Sequence, residues 1–174
     1  MNYSSLDNRL EHILSNSRKT EMIDFVEANP QEFETLLKLS VSDKQPFAWR
    51  AAWLLSNCMN ENDERVKDYL PTIINVLRMV PDGQKRDLIN VLRKMELKEE
   101  YEGIVYDICI STWSKLDKMS SLRINALKLA LKIMTKHPEL HEEMSLLTQD
   151  YFLETLSPGI KNSVLKLIKN NNNG

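Results

Sequence analysis

Four stretches of this chain carry the same apolar stripe in the same register. Laid over one another, Ala51, Leu88, Ala126 and Val164 form one column, and Ala52, Ile89, Leu127 and Leu165 form the next. Leu54, Val91, Leu129 and Leu167 follow, then Leu55, Leu92, Ala130 and Ile168. Cys58, Met95 and Ile133 extend the stripe, and an earlier column of Phe47, Leu122 and Ile160 is broken only by Gln84. These columns run down one face of an α-helix, so each stretch is predicted to be a helix that buries the same face against its neighbours. A register that returns about every 37 residues is the pattern of stacked repeat units. Sustained alternation of the strand type is absent, and no sheet is predicted.

The spacing predicts helices over 4–15, 19–28, 31–40, 45–59, 63–79, 83–95, 98–115, 120–136, 139–155 and 159–169, which make five antiparallel pairs. Pro30, Pro71, Pro138 and Pro158 stand where a helix can begin, because a first-turn proline gives up an amide that would be unpaired anyway. Residues 1–169 are read as a single helical-repeat domain, with a flexible Asn-rich tail over 170–174. With 42% hydrophobic and 28% charged residues, the chain has enough apolar surface to fold, and its four glycines are few for an α/β or all-β protein. No apolar run approaches the ~20 residues of a membrane span. Two separated cysteines and the lack of a signal-peptide pattern point to the cytoplasm.

The segment Phe47-Ala48-Trp49-Arg50-Ala51-Ala52-Trp53-Leu54-Leu55, preceded by Ala28-Asn29-Pro30 and by Phe33, Leu36 and Leu37, carries a resemblance. From about residue 31 to 169 the units resemble HEAT or armadillo repeats, and the chain is similar to small bacterial HEAT-like proteins. The resemblance implies an all-α fold, an α-α superhelix of about five helical hairpins whose second helices line a concave side. The resemblance speaks to fold more than to activity, and the chain is read as a non-enzymatic binding or scaffolding module.

Charge is segregated between the helices of each pair. The second helices carry Arg50, Lys85, Arg86, Arg93, Lys94, Arg123, Lys128, Lys132, Lys136, Lys161, Lys166 and Lys169 against Asp87 alone. The first helices hold most of the acids, among them Glu32, Asp63, Glu102, Glu143 and Asp150. A chain of net charge −2 would then present a basic groove to a protein segment or another anionic partner, nucleic acid included. The expected contact residues are Arg50, Trp53, Arg86, Asn90, Arg93, Lys128 and Lys166. The other reading of the same charges is intramolecular: cations near helix C-termini complement the helix dipole and pair with acidic neighbours. Trp53 stands where other repeats have Asn90, Lys128 and Lys166, so it is either packed under the N-terminal helices or exposed as a contact, and Trp49 shares the ambiguity. A monomer or weak dimer is expected.

Motifs for catalysis are scarce. His137 and His141 stand four apart with Glu142 nearby, but Pro138 starts the helix and leaves His137 in the preceding turn, so neither metal nor cofactor is expected. Lys118-Met119-Ser120-Ser121 resembles the signature loop of class I aminoacyl-tRNA synthetases without its histidine motif, and is read as a helix start with Ser120 or Ser121 as N-cap. No glycine-rich phosphate loop, nucleophile elbow or His-Glu-x-x-His occurs. Cys58 and Cys109 fall among apolar residues as core thiols. One enzymatic alternative follows from the resemblance: HEAT-like DNA glycosylases use a basic concave face, aromatic residues and an aspartate, matched here by Asp87 with Trp49, Trp53 and Arg50.

Overall fold

A computed structural model describes the backbone of residues 3–172 and the side chains of residues 9–170. Among these residues there is no strand, and the chain runs through twelve α-helices. They are α1 (Tyr3–Asn16), α2 (Lys19–Ala28), α3 (Phe33–Ser40), α4 (Phe47–Cys58), α5 (Glu64–Lys67), α6 (Leu70–Val76), α7 (Asp82–Lys94), α8 (Glu99–Trp113), α9 (Ser120–Met134), α10 (His141–Leu147), α11 (Asp150–Leu153) and α12 (Pro158–Asn172). Short 3-10 turns at Pro30–Glu32 and Pro138–Leu140 lead into α3 and α10. The all-helical fold expected from the repeats is therefore present. The tail expected from residue 170 begins inside α12, and Asn173 and Gly174 lie outside the described residues.

Two expected helices are each broken in two. The helix expected over 63–79 stops at Lys67 and restarts at Leu70, because the ring of Pro71 would clash with the carbonyl of Lys67 in a continuous helix. The one expected over 139–155 breaks at Thr148, whose hydroxyl donates to Met144 O at 2.8 Å, and Gln149 turns extended. The N-cap of α9 is Met119 rather than a serine, with Ser120 as the first helical residue.

The chain divides into two compact units, residues 1–96 and 97–174. In the first, α3 packs against α4, α4 against α7, and α1 and α2 against α4. In the second, α8 packs against α9 and α9 against α12. The columns are the cores of these packings: Ala51, Ala52, Leu54 and Leu55 of α4 and Leu88, Ile89, Val91 and Leu92 of α7 are all fully buried, as are Ala126, Leu127, Leu129 and Ala130 of α9. Alanines at Ala51 and Ala52 let the backbones of α4 and its neighbours approach closely. Among the described side chains of α12 only Val164 is fully buried, and Leu165 is 44% exposed. That helix packs chiefly on α9, and its Lys161 reaches Asp150 of α11 at 3.1 Å.

Polar side chains inside the cores close the chain ends that the stripes leave open. Gln84, the residue that interrupts the apolar column, is fully buried on α7 and donates from Nε2 to Ser40 O at 2.9 Å and Ser42 O at 3.0 Å. Those carbonyls follow the end of α3, where no intrahelical donor remains. Its Oε1 accepts from Gln45 Nε2 at 2.6 Å. Asn62 adopts a left-handed conformation, φ 51°, that an asparagine tolerates, and its N–H donates to Lys94 O at 2.7 Å. Asp63 caps α5 by accepting from the Arg65 amide, and the Arg65 side chain forks onto both its oxygens at 2.9 and 2.7 Å. This guanidinium hydrogen bonding holds the carboxyl down at about 2. The same guanidinium stacks 3.5 Å from the ring centroid of Phe33.

In the second unit the corresponding device is Arg123. The sequence places it among the groove cations, but it is completely buried on α9 and faces no groove. Its Nε donates to Trp113 O at 2.9 Å, one terminal nitrogen to Thr155 Oγ1 at 2.7 Å and the other to Phe152 O at 2.6 Å. Trp113, also fully buried, lies 4.6 Å under the guanidinium and donates its indole N–H to Leu147 O at 2.7 Å. One side chain thereby satisfies carbonyls at the end of α8 and in α11, which is why a buried charge without a carboxylate partner is tolerated.

Candidate functional site

Five of the seven expected contact residues lie on α4 and α7 of the first unit, and these two helices pack side by side. Arg50 and Trp53 come from α4, while Arg86, Asn90 and Arg93 come from α7. They border two clefts that share Trp53 as a common wall. One, of about 390 Å³, is lined by Leu14, Ser15, Ser17, Lys19, Met22, Trp49, Arg50, Trp53 and Arg86. The other, of about 470 Å³, is lined by Trp53, Ser56, Asn57, Glu61, Asp87, Asn90, Arg93 and Lys94. The remaining two expected residues are in the second unit: Lys128 is half-buried on α9 and Lys166 is exposed on α12.

The cations of the first unit are held by intramolecular bonds as well as lining the clefts. Arg50 donates to Leu14 O at 2.6 Å, in the last turn of α1, where a positive charge meets the negative end of the helix dipole. Arg86 forks onto Asp87, Nε to Oδ1 at 3.0 Å and Nη2 to Oδ2 at 2.9 Å, and this hydrogen bonding raises the guanidinium pKa further. Asp87 is 2% exposed, so both oxygens of the aspartate suggested for base excision are engaged. Arg93 donates to Asn90 Oδ1 at 3.1 Å, and burial lowers its pKa, with Glu61 opposing. Lys94 donates to Met59 O at 3.1 Å. The dipole-and-pairing reading thus accounts for part of the basic face, while the same groups still border open clefts.

The two tryptophans separate in role. Trp53 is half-buried, with the Lys19 ammonium of α2 placed 5.3 Å from its ring centroid, so it is partly covered by the N-terminal helices. Trp49 is 41% exposed. Its indole lies against Gly83, where an added Cβ would come within 3.2 Å of two ring atoms. Lys19 and Met22, which complete the smaller cleft, were not among the expected residues. They sit on α2, outside the four aligned stretches, and only the packing of α1 and α2 on α4 brings them to the site.

Other candidates fall elsewhere. Burial pushes the Cys58 thiol up to about 11 and raises that of buried Cys109 still further, so neither supplies a thiolate near neutral pH. His137 turns toward Glu102 of α8 rather than toward His141, its Nε2 lying 2.7 Å from Glu102 Oε2. Lys136 Nζ reaches the other oxygen at 2.8 Å, and His137 Nδ1 lies 3.3 Å from Glu139. The hydrogen bond to Glu102 raises the His137 pKa. For Glu102, burial pushes the carboxyl up, but the bonds from Lys136 and His137 outweigh it and the net shift is down.

These opposite shifts define a pH window. Stability from His137 is fully present below the ordinary imidazole value of about 6.5 and is lost as pH rises through the raised folded value. Stability from Glu102 is present above the ordinary carboxyl value of about 4.3 and is lost as pH falls through the lowered one. His137→Gln is therefore expected to flatten the pH dependence of the unfolding midpoint above about pH 6. Denaturant titrations at a series of pH values check it, and an unchanged profile would remove His137 from the stabilising cluster.

No group of three or more His, Cys, Asp or Glu placed to hold a metal occurs among the described residues, and no described helix is long and apolar enough to cross a membrane. Neither curated proteins nor solved structures give a match to the chain. Residues 6–171 match the family model for the HEAT repeat domain. With paired helices, a shared buried stripe and a match over nearly its whole length, the chain belongs to the HEAT repeat domain family.

Proposed function

We propose that this HEAT repeat protein is a non-enzymatic binding or scaffolding module, and that the basic edges of its second helices hold an acidic protein segment. The observation that carries the reading is the gathering of Arg50, Trp53, Arg86, Asn90 and Arg93 around two adjoining clefts on α4 and α7. Tryptophan and arginine side chains are the types that dominate protein interfaces. Lys128 and Lys166 are included as second-helix cations of the same register. The unbroken family match supports treating residues 1–169 as one helical-repeat domain.

Charge reversal of Arg93, Lys128 and Lys166 to glutamate is expected to reduce capture of protein partners about tenfold while the helical circular dichroism is kept. Capture at the level of the unaltered chain would reject the groove assignment. The nucleic-acid alternative, with Asp87 as a base-excision residue, is opposed by the Arg86 fork on both Asp87 oxygens. Nucleic-acid binding would also fall steeply with salt. A gel-shift titration with duplex and single-stranded DNA at low salt tests that alternative directly.

A further inference from the structure

The smaller cleft differs from its neighbour in charge. Every titratable side chain that lines it is cationic: Lys19, Arg50 and Arg86. Across Trp53, the larger cleft mixes Glu61 and Asp87 with Arg93 and Lys94. The remaining wall of the smaller cleft is largely apolar, from Trp49, Trp53 and Met22. We infer that this cleft anchors a short protein segment in which one apolar side chain stands beside a carboxylate. The apolar group sits against Trp49, Trp53 and Met22, and the carboxylate meets Arg50 and Arg86. This inference rests on the reading of the chain as a protein-binding module and specifies what its first unit recognises.

The cleft is arranged for such an occupant before it arrives. Of the five N–H donors of a guanidinium, Arg50 spends one on Leu14 and Arg86 spends two on Asp87, so both forks are fixed while retaining donors for a carboxylate. Trp49 is seated against Gly83 and still exposes 41% of its surface. A large aromatic left open beside fixed cations loses little freedom on binding and gains contact area. Lys19 rests over the Trp53 ring and can exchange that contact for the incoming carboxylate. A cleft of about 390 Å³ suits one or two side chains rather than a broad surface. Glu61 and Asp87, which line the neighbouring cleft, disfavour a polyanion that continues past Trp53. A nucleic-acid strand is therefore the poorer match.

The test uses the full chain and fluorescein-labelled short synthetic peptides that carry phenylalanine or leucine flanked by glutamate. Matched peptides replace the apolar residue by serine, or the glutamates by glutamine or lysine. Anisotropy is expected to show binding only when apolar residue and carboxylate are both present. Trp49→Ser and Arg86→Gln should each weaken it about tenfold. Trp49 is exposed, so that variant stays folded and keeps the test decisive if Arg86→Gln perturbs α7. Equal affinity for the serine peptides, insensitivity to Trp49→Ser, tighter binding of a single-stranded oligonucleotide, or self-association of the chain through this face would each overturn the inference. If proteins captured by the unaltered chain survive Trp49→Ser and Arg86→Gln but are lost on reversing Arg93, the cleft assignment falls and the binding module stands. If the unaltered chain captures no protein and no peptide, both fall.

Discussion

Arg123→Ala is expected to lower the unfolding free energy of the chain by about 3–5 kcal/mol, since it removes a buried guanidinium that donates from all three of its nitrogens. Three acceptors lose their donor at once: Trp113 O, Phe152 O and Thr155 Oγ1. The cavity left above the Trp113 ring adds the cost of lost packing. Arg123→Lys keeps a positive charge but supplies a single point of donors in place of the planar fork, so it should recover only part of the loss. Urea unfolding followed by tryptophan fluorescence measures all of these, and a midpoint for Arg123→Ala equal to that of the unaltered chain would mean the carbonyls find other donors. A double cycle with Trp113→Phe should show strong coupling, because ring and guanidinium are in direct contact.

Gln84→Leu sets pattern against geometry. A leucine would complete the apolar column of Phe47, Leu122 and Ile160, and repeat consensus alone would score it as stabilising. The structure reverses the sign. The side-chain amide is the donor for Ser40 O and Ser42 O and the acceptor for Gln45, all in a site with no access to water at Gln84 itself. Each buried carbonyl left without a donor costs about 1–3 kcal/mol, while the leucine recovers about 1.5–3 kcal/mol by burial. A net loss of about 1–3 kcal/mol is expected, and Gln84→Ala should lose more because it recovers no burial and opens a cavity. Calorimetric or denaturant unfolding checks the order: unaltered chain, then Gln84→Leu, then Gln84→Ala. A stabilised leucine variant would show that the two carbonyls are satisfied without Gln84.

The candidate site was partly legible in advance. Trp53 and Asn90 follow from register, because residues at equivalent positions on adjacent helices come to one side when the helices pack, while Arg50, Arg86 and Arg93 stand in other columns of the same two helices. Arg123 stands in the column of the fully buried Ala48 and goes inward, where the end of α8 and α11 offer it carbonyls. Lys19 and Met22 belong to no column, and their place in the smaller cleft depends on how α2 crosses α4. His137 gave a metal-like spacing with His141, yet the nearest strong acceptor, Glu102, lies 35 residues away in sequence.

Periodicity is a local property, so the residues alone determined that the chain is helical, which face of each helix is apolar and that the units repeat. Pro158 likewise marked where α12 begins, through a missing amide, whereas the break that Pro71 makes ahead of α6 inside the expected 63–79 helix came with the structure. What the tertiary structure alone decided is the role of each polar side chain. Whether a cation caps a distant helix end, pairs with a neighbour or borders an open cleft depends on which carbonyls and carboxylates come within about 3 Å of it, and that is a matter of three-dimensional distance rather than sequence spacing.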